Sequence, residues 1–147
     1  MSNGDFSLQF RVNEAPEQVF AAINDVRSWW SGEIEGEPGA LGAEFSYRVA
    51  NVHFSRQKVT ENVPNEKIVW HVTEARLEFV EHKEEWKGSD LLFELARKGD
   101  QTEVTFTHRG LARAFECFKD CSNAWGLLIN GNLRRRIITG EPQPSPW

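Results

Sequence analysis

Residues 102–108 read Thr-Glu-Val-Thr-Phe-Thr-His and lead into a long segment, from about 113 to 139, whose apolar residues recur at helical spacing. The strict alternation in the first stretch predicts a strand with one buried face. A sheet with one apolar face needs a cover, and only the C-terminal segment is long enough to supply it. The sequence therefore predicts a long helix packed across a sheet, with an apolar molecule held between them.

The turn before this strand sets its pairing. Gly99 and Asp100 favour a short hairpin turn, which brings Lys98 opposite Gln101. One face of the hairpin is then apolar except for its last position. The inward pairs predicted by this register are Leu95 with Val104, Phe93 with Phe106, and Leu91 with His108.

Length and charge narrow the class of protein. The 147 residues predict a single domain, with a core over about 6–140 and a tail at 141–147. The formal net charge of −5 argues against a nucleic-acid partner, because such proteins concentrate basic residues on one surface. The basic run at 134–136 is explained by favourable charge near the end of a helix.

Several features argue against a membrane or metal protein. No apolar stretch approaches the roughly 20 residues that span a bilayer, and the N-terminus lacks a basic start and an apolar run. Cys117 and Cys121 share a helix face on which a disulfide would be strained, so both are predicted to be free thiols. No further ligands for a metal are evident. The sequence predicts a cytoplasmic protein with no metal and no other cofactor.

The remaining elements alternate between strands, short helices and loops. A helix opens at Pro16, and a second short helix carries Trp29 and Trp30. Glycines interrupted by glutamates predict a loop over 32–42, and residues 74–88 are acidic and irregular. Further strands are predicted where apolar and polar residues alternate, at 6–12, 43–49, 52–60 and 67–73.

This order of elements resembles the helix-grip fold of the START-like SRPBCC superfamily. Within that superfamily, the chain resembles the branch named for the activator of the 90-kDa heat-shock chaperone's ATPase. The resemblance runs from about residue 6 to residue 142. The string from Phe115 to Trp125 resembles a bacterial subgroup of that branch. The segments that carry the resemblance are 64–70 (Pro-Asn-Glu-Lys-Ile-Val-Trp), 102–111 and 124–126 (Ala-Trp-Gly), with Leu133 and Thr139-Gly140.

The resemblance implies an α+β helix-grip domain in which a curved antiparallel sheet wraps around a long C-terminal helix, with two short helices. It also implies a cavity that takes apolar ligands in many members. Functions vary across the superfamily: some relatives bind lipids or hormones, some cyclise or hydrate aromatic polyketides, and the eukaryotic namesake stimulates a chaperone. No shared catalytic motif can be carried over to this chain.

His108 is the best polar candidate, because the hairpin register places it on the apolar face near a strand end. Two roles remain open for it: a hydrogen-bonded core histidine, and a residue that orients a ligand or transfers a proton. Strand alternation places His53 on the face opposite Val52 and Phe54, away from the site. No serine-nucleophile, zinc-peptidase or nucleotide-binding motif occurs.

Aromatic residues are abundant, with six tryptophans, and five of them, Trp86 included, are expected near the gap between sheet and helix. Each can fill the core or line a pocket. Gly126 and Gly131 favour open space beside Trp125. The predicted pocket residues are Trp29, Trp30, Phe45, Trp70, Phe93, Phe106, His108, Trp125 and Ile129.

The sequence therefore favours a protein, as a monomer or homodimer, that binds a small apolar or aromatic molecule in an interior cavity of about 300–1,000 Å³. It identifies no catalytic residues. One alternative is a regulator that stimulates a heat-shock chaperone through its surface, with the chaperone as partner. The other is an enzyme of the cyclase or dehydratase type, which would need His108 and a second titratable group.

Overall fold

The computed structural model describes residues 5–30, 32–49, 53–78, 81, 83–84, 86–111 and 118–143. Seven of its strands form one antiparallel sheet in the order β1-β7-β6-β5-β4-β3-β2. The helix-grip α+β fold is confirmed. The strands are β1 (Asp5–Val12), β2 (Glu33–Gly36), β3 (Glu44–Val49), β4 (His53–Val63), β5 (Lys67–Leu77), β6 (Asp90–Lys98) and β7 (Gln101–Arg109).

The hairpin of β6 and β7 has the predicted register. Leu95 pairs with Val104, Phe93 with Phe106, and Leu91 with His108. The tight turn at Gly99 sets this register, since its φ of 63° suits glycine. β1 then pairs with the other edge of β7 and extends the apolar face. The side chains of Leu91, Phe93, Val104, Phe106 and His108 are all fully buried on that face.

Two short helices follow β1. Helix α1 (Pro16–Asn24) begins with proline at its first turn and buries Val19, Ala22 and Ile23 against the sheet. A turn of 3₁₀ helix, Val26–Ser28, follows, and the buried Trp29 and Trp30 come directly after it. The second predicted short helix is therefore a single turn that delivers both indole rings into the core.

The C-terminal helix covers the sheet. It comprises α2 (Phe118–Trp125), a π-helical segment (Gly126–Leu133) and α3 (Arg134–Thr139). The predicted start near residue 113 lies outside the described residues. The wider π-helical turns were not predicted, and such turns often occur at functional sites. The buried residues of this helix include Cys121, Trp125, Leu128, Ile129, Asn132, Leu133 and Ile137.

The pairing of β4 with β5 is irregular at two points. Their register shifts between Arg56 and Gln57 and again between Val59 and Glu61. Such bulges add twist and bend a strand, which helps the sheet curve around a helix. Along β4 the inward positions are His53, Ser55, Gln57 and Val59, because Arg56 and Lys58 point to solvent.

Two expectations for connecting segments need correction. The predicted loop over 32–42 contains β2, which forms because it pairs with β3. The irregular region begins later than predicted, since β5 runs to Leu77. Gln143, in the predicted tail, donates its backbone N–H to the Ser28 carbonyl at 2.8 Å. Across the described residues, no helix is both long and apolar enough to span a bilayer.

Candidate functional site

His108 and Trp125 meet between the sheet and the helix. The indole Nε1 of Trp125 donates to His108 Nδ1 at 3.1 Å. Because an indole can only donate, Nδ1 is the acceptor and Nε2 carries the proton. Nε2 lies 2.8 Å from Ser89 Oγ, which in turn donates to the Trp86 carbonyl at 2.5 Å. Both nitrogens of this imidazole therefore have protein partners.

The surroundings of His108 keep it neutral. The side chain is fully buried, and burial lowers its pKa to about 3, with a smaller contribution from the positive form of His53. A neutral ring with both nitrogens bonded is a structural connection between strand β7 and the C-terminal helix. Of the two roles left open by the sequence, the contacts fit the hydrogen-bonded core histidine.

Aromatic rings fill the centre of the interface between sheet and helix. Trp29 packs against Trp70 with ring centroids 6.5 Å apart. Phe45 meets Trp70 edge-on at 4.9 Å, within the preferred range for aromatic pairs. Centroid distances along the central row are 5.0 Å from Trp70 to Phe93, 5.1 Å from Phe93 to Phe106, and 4.6 Å from Phe106 to Trp125.

A pocket of about 390 Å³ lies beside this packed centre, between the N-terminal part of the described helix and the β3–β4 end of the sheet. Its wall is mainly apolar. The exposed Asp120 marks its side toward solvent. The described lining residues are Trp30, Tyr47, Val49, His53, Trp86, Asp120, Cys121, Ala124, Trp125 and Leu128.

Tyr47 and His53 give this wall its polar groups on the sheet side. Their ring centroids are 5.2 Å apart, and the edge of His53 also meets Trp86 at 4.7 Å. Burial raises the pKa of Tyr47, and a hydrogen bond with Trp30 partly offsets that rise. Burial lowers the pKa of His53 to about 3, so its imidazole is neutral at pH 7.

Trp86 separates His108 from His53. Its ring stacks on Trp125 at 5.6 Å and meets His108 edge-on at 4.7 Å. The same ring contacts His53 on the pocket side. Trp86 therefore divides the packed centre, which contains His108, from the pocket, which His53 lines.

The structure brings two of the predicted pocket residues, Trp30 and Trp125, to the pocket wall. The others lie in the packed centre, where neighbouring rings and aliphatic side chains occupy the space that the sequence assigned to a ligand. These core residues are Trp29, Phe45, Trp70, Phe93, Phe106, His108 and Ile129. A Cβ added at Gly131 would lie 3.3 Å from the Arg135 guanidinium, whereas a Cβ added at Gly126 would meet no other side chain within 4 Å.

Sequence reasoning missed His53, Tyr47 and Val49 as wall residues. Strand alternation with Phe54 inward predicts an outward His53, but Phe54 packs on the outer face under the Arg48 guanidinium at 4.8 Å. The charged Arg56 and Lys58 at even positions were the better signal of register. Cys121 was expected to be a free thiol, and it is free and buried; Cys117 lies outside the described residues.

The described residues show no group of three or more His, Cys, Asp or Glu side chains arranged to hold a metal ion. The polar groups at the pocket are instead suited to single hydrogen bonds. An imidazole and a phenol beside stacked indoles can orient a ring compound while apolar walls bury most of its surface.

Comparison with known proteins relates the chain to one family. The family described as Activator of Hsp90 ATPase homolog 1-like protein matches residues 13–135. No curated protein matches the sequence.

Solved structures share the fold at low sequence identity. The Aha1 dimer from Colwellia psychrerythraea has a TM-score of 0.74 and 22% identity, covering 90% of this chain and 95% of that one. DynU16, from the dynemicin biosynthetic locus, has a TM-score of 0.74 at 17% identity, and the match covers 98% of this chain but only 51% of DynU16. CalU16 from Micromonospora echinospora has a TM-score of 0.66 at 14% identity, covering 92% of this chain and 76% of that one.

Proposed function

Because the chain belongs to the Activator of Hsp90 ATPase homolog 1-like family, whose helix-grip fold it has, we propose that it binds a small, uncharged aromatic or apolar molecule. The observation that carries the proposal is the pocket of about 390 Å³ between helix and sheet. That volume lies within the usual range for small-molecule sites, about 300–1,000 Å³. The indoles of Trp30, Trp86 and Trp125 provide flat apolar surfaces for a ring.

Charge favours a neutral ligand. Asp120 is the charged group among the described lining residues, which include no lysine or arginine. A carboxylate or phosphate ligand would therefore meet a like charge and gain no ion pair. An uncharged molecule loses little on leaving water and gains from burial of its apolar area.

The titratable groups of the pocket support binding over catalysis. An effective general base has a pKa near the working pH, whereas burial lowers that of His53 to about 3. Burial shifts the pKa of Tyr47 the other way, further from neutrality. Neither group is poised to transfer a proton at pH 7, so hydrogen bonding to a ligand is the role that suits both.

The experiment uses tetralin, an apolar two-ring probe, and follows the tryptophan indole N–H signals by NMR. We expect saturable binding that perturbs Trp30, Trp86 and Trp125. Ala124→Leu adds bulk to the pocket wall and should weaken binding by about tenfold, which is 1.4 kcal/mol. Asn123→Leu, on the exposed face of the same helix, is the matched control and should leave the affinity unchanged.

Absence of saturable tetralin binding, or an equal loss in both variants, would contradict the proposal. The family description also favours a chaperone regulator as a second candidate. A regulator that works through its surface should bind its chaperone equally well with Ala124→Leu in place. Loss of chaperone binding in that variant would instead connect the pocket with the partner.

A further inference from the structure

Among the described residues, His53 has a hydrogen-bond partner at one of its two ring nitrogens. Its Nε2 lies 3.1 Å from Ser55 Oγ. Within the described part of the chain, Nδ1 has no hydrogen-bond partner, and the imidazole is partly exposed where it lines the pocket. The protonation of Nδ1 therefore decides what kind of atom a ligand can place beside it.

A row of buried polar side chains behind His53 sets that protonation. The amide Nε2 of Gln57 donates to Ser55 Oγ at 2.5 Å, and both residues are fully buried. The Ser55 hydroxyl has one proton of its own, and the acceptor within reach is Nε2 of His53. When Ser55 donates to Nε2, the ring proton must lie on Nδ1.

The opposite arrangement is less favourable. Rotating the Gln57 amide by half a turn would let Ser55 donate to its oxygen and accept from Nε2 of His53. The amide nitrogen of Gln57 would then be buried without a partner, whereas the present orientation leaves Oε1 unpaired. Unpaired buried N–H groups are rarer in proteins than carbonyl oxygens with an unused acceptor site. The arrangement that places a proton on Nδ1 of His53 is therefore preferred.

We propose that the Nδ1–H group of His53 is the polar anchor of the pocket, and that it selects neutral ring compounds bearing a carbonyl oxygen. This inference rests on the proposed binding function and specifies its ligand class. A neutral N–H donor pairs with a neutral acceptor, and the low pKa of His53, about 3 because of burial, keeps the ring uncharged. The T-shaped contacts with Tyr47 and Trp86 hold the ring in place.

Two probes of nearly the same shape test the proposal. 1-Tetralone carries a carbonyl where tetralin has a methylene group. A neutral hydrogen bond contributes roughly 0.5–1.5 kcal/mol, so wild-type protein should prefer tetralone by about two- to thirteenfold after correction for the probes' partition from water. His53→Phe keeps a ring against Tyr47 and Trp86 but removes the donor. It should retain tetralin binding and lose the preference.

Ser55→Ala tests the row behind the ring without altering the pocket wall. Without Ser55, nothing fixes the proton on Nδ1, and the preference for tetralone should fall toward one. Ser46→Ala, on the outward face of the neighbouring strand β3, is the matched control and should keep the preference.

The position of the imidazole proton can also be measured directly in the ligand-free protein. Long-range ¹H–¹⁵N NMR distinguishes the two neutral forms of each imidazole. We expect Nδ1–H for His53 and Nε2–H for His108, so each ring serves as the other's reference.

An Nε2–H form of His53, or equal binding of both probes by wild type, overturns this inference and leaves the binding function standing. If neither probe binds, the proposed function fails as well.

Discussion

The packed centre of the interface and the open pocket beside it each contain one histidine, and the two differ in how many ring nitrogens have a hydrogen-bond partner. His108 accepts from Trp125 and pairs with Ser89, so its surroundings are complete. His53 has Ser55 as its hydrogen-bond partner and lies on the pocket wall. Burial lowers the pKa of both rings to about 3.

This difference shows that a shifted pKa alone does not identify a binding residue. Both imidazoles are neutral for the same physical reason, the cost of burying a charge. Of these two rings, the imidazole on the pocket wall is the one with a nitrogen that has no hydrogen-bond partner among the described residues, and we propose that this nitrogen contacts a ligand. Completeness of hydrogen bonding, together with open volume, separates a structural histidine from one that can bind.

The largest expected effect concerns Trp125, whose ring lies between the packed centre and the pocket. Trp125→Ala removes the contact with Phe106 and leaves the Nδ1 atom of His108 without its donor. We expect the free energy of unfolding to fall by about 3–5 kcal/mol, as for other buried aromatic truncations. Urea denaturation measures the loss.

Leu127→Ala, at an exposed position of the same helix, is the control and should change stability by about 0.5 kcal/mol or less. A loss below about 2 kcal/mol for Trp125→Ala would mean that its ring borders open space on most sides, and the division into packed and open regions would break down.

Truncating one leucine in each region compares the packed centre with the pocket by the stability that is lost. Leu91 is fully buried in the packed centre, whereas Leu128 lines the pocket. Truncation to alanine costs about 2–5 kcal/mol, and the cost rises with the volume of the new cavity. Leu91→Ala should lie near the upper end and Leu128→Ala near the lower, because Leu128 already has empty space on one side. Equal losses in parallel urea titrations would argue that the pocket is filled in solution.

The sequence predicts the packed centre better than the pocket. The register of β6 and β7 is confirmed because a two-residue turn and strict alternation determine it together. Along β4 the inward residues His53, Ser55 and Gln57 are polar, so hydrophobic alternation gives the opposite phase. A polar inward face of this kind breaks the pattern from which strand orientation is read.

Tertiary contacts account for the other errors. Strand β2 has glutamates and a glycine, residues that are poor strand formers, and it exists because β3 offers it a pairing edge. The predicted ring cluster did form, but its members pack so closely with one another that the pocket lies beside them. Neither property can be obtained from residue types alone, since both depend on which side chains meet across the sheet.

The pH dependence of stability should show that His108 is neutral in the folded protein. The pKa of His108 is about 3 when folded and about 6.5 when unfolded, so the unfolded chain takes up a proton as the pH falls below 6.5. Stability is complete above that pH and declines progressively toward pH 3. From pH 7 to 5, His108 should account for a loss of about 2 kcal/mol.

His108→Gln keeps one donor and one acceptor for Ser89 and Trp125 and does not titrate. Its urea-derived stability should therefore fall less steeply with pH than that of wild type. His71→Gln changes a histidine that pairs with Asp90 on the outward face of β5 and is the control variant. Identical slopes in wild type and His108→Gln would show that His108 has nearly the same pKa in the folded and unfolded chain.

The smallest expected effect is a change in the alkylation rate of Cys121, a helix residue, and it tests where a molecule binds in the pocket. Cys121 is a buried free thiol on the pocket wall, so iodoacetamide should modify it at least about tenfold more slowly in the folded protein than in urea. Cys117→Ser makes it the only thiol in the chain. If alkylation needs an empty pocket, tetralin at a concentration equal to its Kd should halve the rate, because half of the sites are then occupied. Mass spectrometry over time gives both rates.

If saturating tetralin leaves the alkylation rate unchanged, the probe binds away from Cys121. The part of the pocket that Cys121 lines would then not be the binding site.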